Sequence, residues 1–268
     1  KARIGEERFR REHECEFIIF DETLINSVML AEMEGTTPIE KMGQVRWFKR
    51  PTPGHTYMVS LDPSMGTGGD FAAIQIFELP TFEQVGEWQH NMTPMNQQVR
   101  ILQQINKHIH DTIIEKDASA TPQIFYSMEN NTIGEAALMR VMDIGEENIM
   151  GMFLSEPIRK GHRRKFRRGF NTTAKFKIDA CTKFKELIEG GKMVINSKPL
   201  ISELKDFVAT GISFKAKPGQ HDDLVSACLI MTRMMKVLAD FDPKIFEKWT
   251  NRDTEYTAPM PIFANLGI

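Results

Sequence analysis

At 268 residues the chain suits one large domain, or one domain with an appendage. A hydrophobic share of 41% and a formal net charge of −2 fit a globular protein and exclude a uniformly basic nucleic-acid coat. No segment approaches the roughly 18 consecutive apolar residues of a membrane span. Cys15, Cys181 and Cys228 are too scattered for a zinc site or a disulfide framework, which fits a reducing cytosol.

The first residues, KARIGEERFRREHE, carry no signal-peptide layout, and a lysine start inside a helix-like pattern reads as a fragment of a longer protein. EERFRREHECEF and ETLINSVMLAEME read as two short amphipathic helices. TTPIEKMGQVRWFKRPTPGH reads as a linker, with a domain boundary near residue 52. TYMVSLD, FAAIQIFEL and QVGEWQH then read as three strands joined by tight turns. Val99, Leu102, Ile105, Ile109 and Ile113 repeat at a helical period. QIFYSME reads as a buried strand, NTIGEAALMRVMD as a helix capped by Asn131 or Thr132, and NIMGMF as another strand. TTAKFKIDACTKFKELIEGG reads as a long helix stopped by Gly190 and Gly191. KMVINS and GISFKA read as short strands around a helix PLISELKDFVAT, and DDLVSACLIMTRMMKVLAD as the last helix. The methionines at helical spacing there read as core. Residues 241–268 form a tail that the pattern leaves unplaced.

A three-strand antiparallel meander, followed by strands that alternate with helices, is the element order of the ribonuclease H-like α/β fold. Its mixed central sheet has helices on both sides. In that topology Asp62 ends the first strand of the meander, Glu129 ends the fourth strand, and Asp222 with Asp223 opens the final helix. Parallel first and fourth strands bring their C-terminal ends side by side, and a helix packed on the sheet adds its first turn to that edge. A cluster of carboxylates suits hard divalent ions such as magnesium or manganese. Two such ions roughly 3.5–4 Å apart stabilise the attacking and leaving oxygens of a phosphodiester displacement. The competing reading is structural: aspartate forms turns at strand ends and caps helices.

PIRKGHRRKFRRGFNTTAKFK is strongly basic and free of acids. Arg159, Lys160, Arg163, Arg164, Lys165, Arg167 and Arg168 suit a phosphate backbone, the alternative being a solvated surface or a contact for an acidic domain. GTGGD has neither the Lys-Ser/Thr ending of a Walker loop nor the spacing of a dinucleotide fingerprint. Asp70 reads as a turn cap or a partner orienting Asp62 or metal-bound water. His221 reads as a ligand, a base or a surface residue.

SLDPSMGTGGDFAAIQIF, YSMENN and GQHDDLVSACLIM, in that order, resemble the nuclease domain of the tailed-bacteriophage terminase large subunit. The resemblance runs from about residue 56 to 240. GEERFRREHECEF is similar to the end of the family's ATPase portion, so residues 1–51 read as a remnant of that domain with its linker, and 52–240 as the nuclease. The resemblance implies a Mg2+- or Mn2+-dependent endonuclease that cuts concatemeric double-stranded DNA with little sequence preference. It implies two metal ions on Asp62, Glu129 and the Asp222–Asp223 pair, with Asp222 favoured as the ligand. Phage relatives often carry an acid where this chain has Met65. An ATPase domain, the portal and the small terminase subunit are the implied partners, the isolated domain being monomeric. The implied location is the cytoplasm of the infected host. A DNA- or portal-binding module without catalysis is the alternative. An actin- or hexokinase-like ATPase fits less well, because the chain lacks the length and the second phosphate loop.

Overall fold

A computed structural model of the protein describes residues 23–157 and 168–241. Residues 6–17, most of the basic segment and the tail lie outside the described residues. The elements run α1 (Ser27–Glu32), β1 (Glu40–Met42), β2 (Val45–Trp47), β3 (Thr56–Asp62), β4 (Ala72–Leu79), β5 (Glu83–His90) and α2 (Met95–Lys116). They continue with β6 (Gln123–Met128), α3 (Thr132–Ile144), a 3-10 turn (Glu146–Asn148), β7 (Met152–Phe153), α4 (Ala174–Glu189), α5 (Lys198–Asp206), β8 (Phe207–Thr210), β9 (Ser213–Ala216) and α6 (Asp223–Phe241).

Seven strands form one mixed sheet in the order β1-β2-β5-β4-β3-β6-β7. The β3-β4-β5 meander is antiparallel, and β6 and then β7 add in parallel on the other side of β3. This is the expected ribonuclease H-like arrangement. Successive β3 side chains alternate between two cores, as a pleated strand requires. Tyr57, Val59 and Leu61 face α2 and α3, while Met58 faces the core that includes α4, α5 and α6. Ser60, on the α6 face, donates to the Ala227 carbonyl at 2.7 Å and ties α6 to the strand. Asp62, two residues further on, stands on that same face.

Four local expectations are corrected. The stretch 36–50 is not a plain linker: β1 and β2 form a hairpin around Gly43, whose φ of 60° supplies the left-handed turn, and β2 pairs with β5. KMVINS forms only isolated bridges, at Val194 to Glu83 and Ser197 to Thr36, because Ser197 already caps α5. The helix expected over PLISELKDFVAT ends at Asp206. Phe207–Thr210 turns back on Ser213–Ala216 as a separate two-stranded sheet, and Gly211 at φ 61° makes the turn. The strand expected over NIMGMF shrinks to Met152–Phe153 behind the 3-10 turn.

Candidate active site

The parallel pairing of β3 with β6 sets Leu61 opposite Met128. One residue beyond that last pair, the Glu129 N–H donates to the Leu61 carbonyl at 3.1 Å. Asp62 and Glu129 therefore leave the same end of neighbouring strands, and their carboxyls come within hydrogen-bonding reach. Burial raises the Asp62 carboxyl well above the usual range, and the charges of Glu129, Asp223 and Asp222 push it the same way.

Asp222 and Asp223 arrive from α6, which packs on β3, β4 and β6. The Asp222 carbonyl accepts from the Ser226 N–H at 2.7 Å, opening the helix. Its carboxylate takes the Ala216 N–H from β9 at 3.2 Å and lies 3.8 Å from Lys177 of α4. The ammonium of Lys177 also sits 5.5 Å above the Phe207 ring. Asp223 has a side chain only 14% exposed. Burial raises its pKa to about 6. The Phe71 N–H opposes that shift, Asp222 and Asp70 add to it, and His221 opposes it. Oδ2 of Asp223 has no hydrogen-bond partner among the described residues, and His221 Nδ1 stands 3.5 Å away.

Among the described residues no three His, Cys, Asp or Glu side chains stand as a ready cluster around one ion. The rotamers explain why. Asp62 pairs with Glu129, Asp222 turns to Lys177 and the β9 amide, and Asp223 turns to Phe71. The donor set itself fits a hard divalent cation: it is all carboxylate oxygen, it meets at one sheet edge, and it leaves Asp223 Oδ2 buried and unbonded.

Neutral side chains hold this edge in place, and sequence reading passed over most of them. Gln98 of α2 is fully buried. Its Oε1 accepts the Ser64 N–H at 3.2 Å, while Nε2 donates to the carbonyls of Ser64 at 2.9 Å and Thr93 at 2.7 Å. The loop after Asp62 is thereby fastened to the start of α2. Gly66 completes the fit: its φ is +68°, and a Cβ there would stand 2.2 Å from the Thr93 carbonyl. On the other strand Asn131 donates to Glu129 Oε2 at 2.6 Å. Glu203 of α5 reaches under the start of α6. It accepts the Val225 N–H at 3.1 Å and a Gln89 amide proton at 2.8 Å. Burial lifts Glu203 to about 8, against the bond from Val225, and the Asp223 charge adds to the rise. The signal for Glu203 was available, since it shares the buried stripe of Leu200, Ile201 and Leu204. No local signal marks Lys177 or Gln98.

Asp70 is exposed on the β3–β4 loop, and its charge reaches Asp223. His221 packs edge-on against Phe71 at 4.8 Å. Met65 is 64% exposed on the same loop. Arg159, Lys160, Arg163, Arg164, Lys165 and Arg167 lie outside the described residues. Arg168 forms an ion pair with Glu146 and stacks over Phe153 at 5.8 Å. The described residues flanking the basic segment are tied to β6 and α6. Phe170 pairs with Glu129 as an isolated bridge. Arg233 of α6 bonds Glu156 before the segment and Asn171 after it, between the rings of Phe170 and Phe176.

A mixed seven-stranded sheet flanked by helices, with acids at the C-terminal ends of β3 and β6 and at the start of α6, has the ribonuclease H-like architecture. The sequence matches the family model for the terminase RNaseH-like domain over residues 59–234, more than half of the chain, and the chain belongs to that family. Solved structures agree in fold. The large terminase nuclease from thermophilic phage G20c with bound magnesium superposes with a TM-score of 0.58 at 17% identity, covering 79% of this chain and 97% of that one. The nuclease domain of the Thermus phage P74-26 large terminase gives 0.53 at 18% identity, over 76% and 96%. A manganese-soaked, inhibitor-bound terminase nuclease domain from human cytomegalovirus gives 0.50 at 14% identity, over 84% and 98%.

Proposed function

We propose that the protein is a metal-dependent endonuclease that cuts double-stranded viral DNA with little sequence preference during phage genome packaging. The observation that carries this reading is the Asp62–Glu129 carboxyl pair, set at adjoining strand ends beside Asp222 and Asp223. Asp62, Glu129 and Asp222 hold two magnesium or manganese ions in this reading, and Asp223 assists. Such ions, when bound, supply a nucleophilic water at neutral pH and stabilise the departing 3′ oxygen. The residues of the chain prepare for them. Asp62 gives up its proton, Asp222 leaves Lys177, and the Phe71 N–H keeps Asp223 aimed at the same edge. The basic residues from Arg159 to Arg168 grip the DNA backbone, and Arg233 fixes the roots of that segment.

In the full protein, the upstream ATPase portion, the portal and the small subunit are the partners, and the work is done in the host cytoplasm. Asp62→Ala abolishes nicking of a supercoiled plasmid in magnesium or manganese while leaving the fold and DNA binding intact. Undiminished nicking by that variant overturns the proposal. A second reading, a DNA- or portal-binding module with structural acids, draws on the side chains being rotated apart. Calorimetric titration with manganese separates the two, because the module predicts no uptake dependent on Asp62 and Asp222.

A further inference from the structure

We propose that Asn131 is a positioning residue for Glu129, using the two ends of one amide for two jobs. Its Nδ2 donates to Glu129 Oε2 at 2.6 Å, and its Oδ1 accepts the Gly134 N–H at 2.8 Å as the cap of α3. The amide has only one orientation that serves both. Turned over, its oxygen would face the carboxylate and its NH2 would face the Gly134 N–H. The cap therefore fixes the donor, and the donor fixes the Glu129 carboxyl.

The backbone makes the coupling tight. The Asn131 carbonyl accepts the Glu135 N–H at 2.9 Å, so the residue is part of the first turn of α3. That turn lies directly on Glu129, since a Cβ on Gly134 would stand 1.9 Å from the Glu129 carbonyl oxygen. Glu129 is also held from its other side. The Glu129 N–H is bonded to Leu61, and the adjacent Asn130 N–H donates to the Phe170 carbonyl at 2.8 Å. With the main chain fixed at these points, the rotation of the Glu129 side chain is the freedom that Asn131 removes. A serine would cap the helix about as well as asparagine but offers no amide to the carboxylate. Asparagine thus serves Glu129 as well as the helix.

This inference rests on the nuclease reading, and its test separates the two. Asn131→Ser, Asn131→Asp and Asn131→Ala are compared with the wild type and with Asp62→Ala by manganese calorimetry, plasmid nicking and thermal melting. Asn131→Ser is expected to melt with the wild type, yet to lose roughly tenfold or more in manganese affinity and in cleavage rate, with DNA affinity unchanged. Asn131→Asp, which keeps the cap and sets a charge against Glu129, loses cleavage at least as far. Asn131→Ala shows the additional melting loss of a missing cap. Serine and aspartate variants that bind manganese and cut like the wild type, while Asp62→Ala is dead, overturn the role of Asn131 alone. Losses that only follow the melting temperature across the three variants overturn it too, since a cap would explain them. Absence of cleavage by the wild type in manganese overturns the nuclease reading itself, and full activity of Asp62→Ala overturns the placing of its metal site on these carboxylates.

Discussion

Glu129 and Asp62 are joined through one backbone bond: the Glu129 N–H meets the carbonyl of Leu61, the neighbour of Asp62, at 3.1 Å. Their carboxyls are thereby held together at the sheet edge, whatever the side chains of α6 do. Burial and the neighbouring Glu129 charge raise the Asp62 carboxyl well above the usual range.

This has a consequence for stability against pH. Asp223 is raised to about 6 and Glu203 to about 8, each by burial first. A raised carboxyl binds its proton in the folded state where the unfolded chain, with values near 4, has lost it. Stability from these groups is therefore fully present below about pH 4 and falls as the pH rises through their folded values. Without metal, the melting temperature should decline between pH 5 and 8, and Glu203→Gln should flatten the upper half of that decline. Calorimetry in chelator checks this, and stability that climbs towards pH 8 contradicts it.

Gly134→Ala should behave against the usual rule. Alanine in a helix normally gains up to about 1 kcal/mol over glycine. Here its Cβ would meet the Glu129 carbonyl oxygen at 1.9 Å. We expect a loss of about 1–3 kcal/mol from the forced backbone shift, together with lost cleavage. Urea unfolding and the nicking assay read both.

Gln98→Leu keeps the volume of a buried side chain and removes its polar ends. The Ser64 N–H and the carbonyls of Ser64 and Thr93 then lose their partner. Each such group costs about 1–3 kcal/mol when left buried and unpaired. Denaturant unfolding should show a loss of at least about 2 kcal/mol, and amide exchange should rise in residues 63–68 before it rises in β3.

Arg233→Ala should loosen both roots of the basic segment. The guanidinium is almost buried, and its bonds to Glu156, Asn171 and Thr172 lie between two rings. A loss of about 3 kcal/mol is expected, as for other paired charges broken from one side. Arg233→Lys should recover little of it, since an ammonium cannot serve three planar contacts. Thermal melting of the two variants decides this.

The placing of the candidate acids in the fold was legible in the sequence because they sit at element boundaries. Asp62 closes an apolar run before a glycine turn, Glu129 follows a buried strand, and Asp222 precedes an apolar helix. Strand order then brings them together without knowledge of any side chain. Other features were hidden for physical reasons. The β1–β2 hairpin has only three residues a side, and its alternation in KMGQVRW is too short to stand out from a linker. The split of PLISELKDFVAT depends on Phe207 and Val208 pairing with residues beyond Gly211, a contact local propensity does not report. The orientation of Asp222 depends on Lys177 and on the Ala216 amide, which come from two other elements. Partners drawn from distant segments leave no local pattern.

The most direct test is anomalous diffraction from crystals soaked with manganese. The account predicts manganese bound by oxygens of Asp62, Glu129 and Asp222, with Asp222 turned away from Lys177. Manganese that avoids these carboxylates, with Asp222 still on Lys177 and the Ala216 amide, would contradict it.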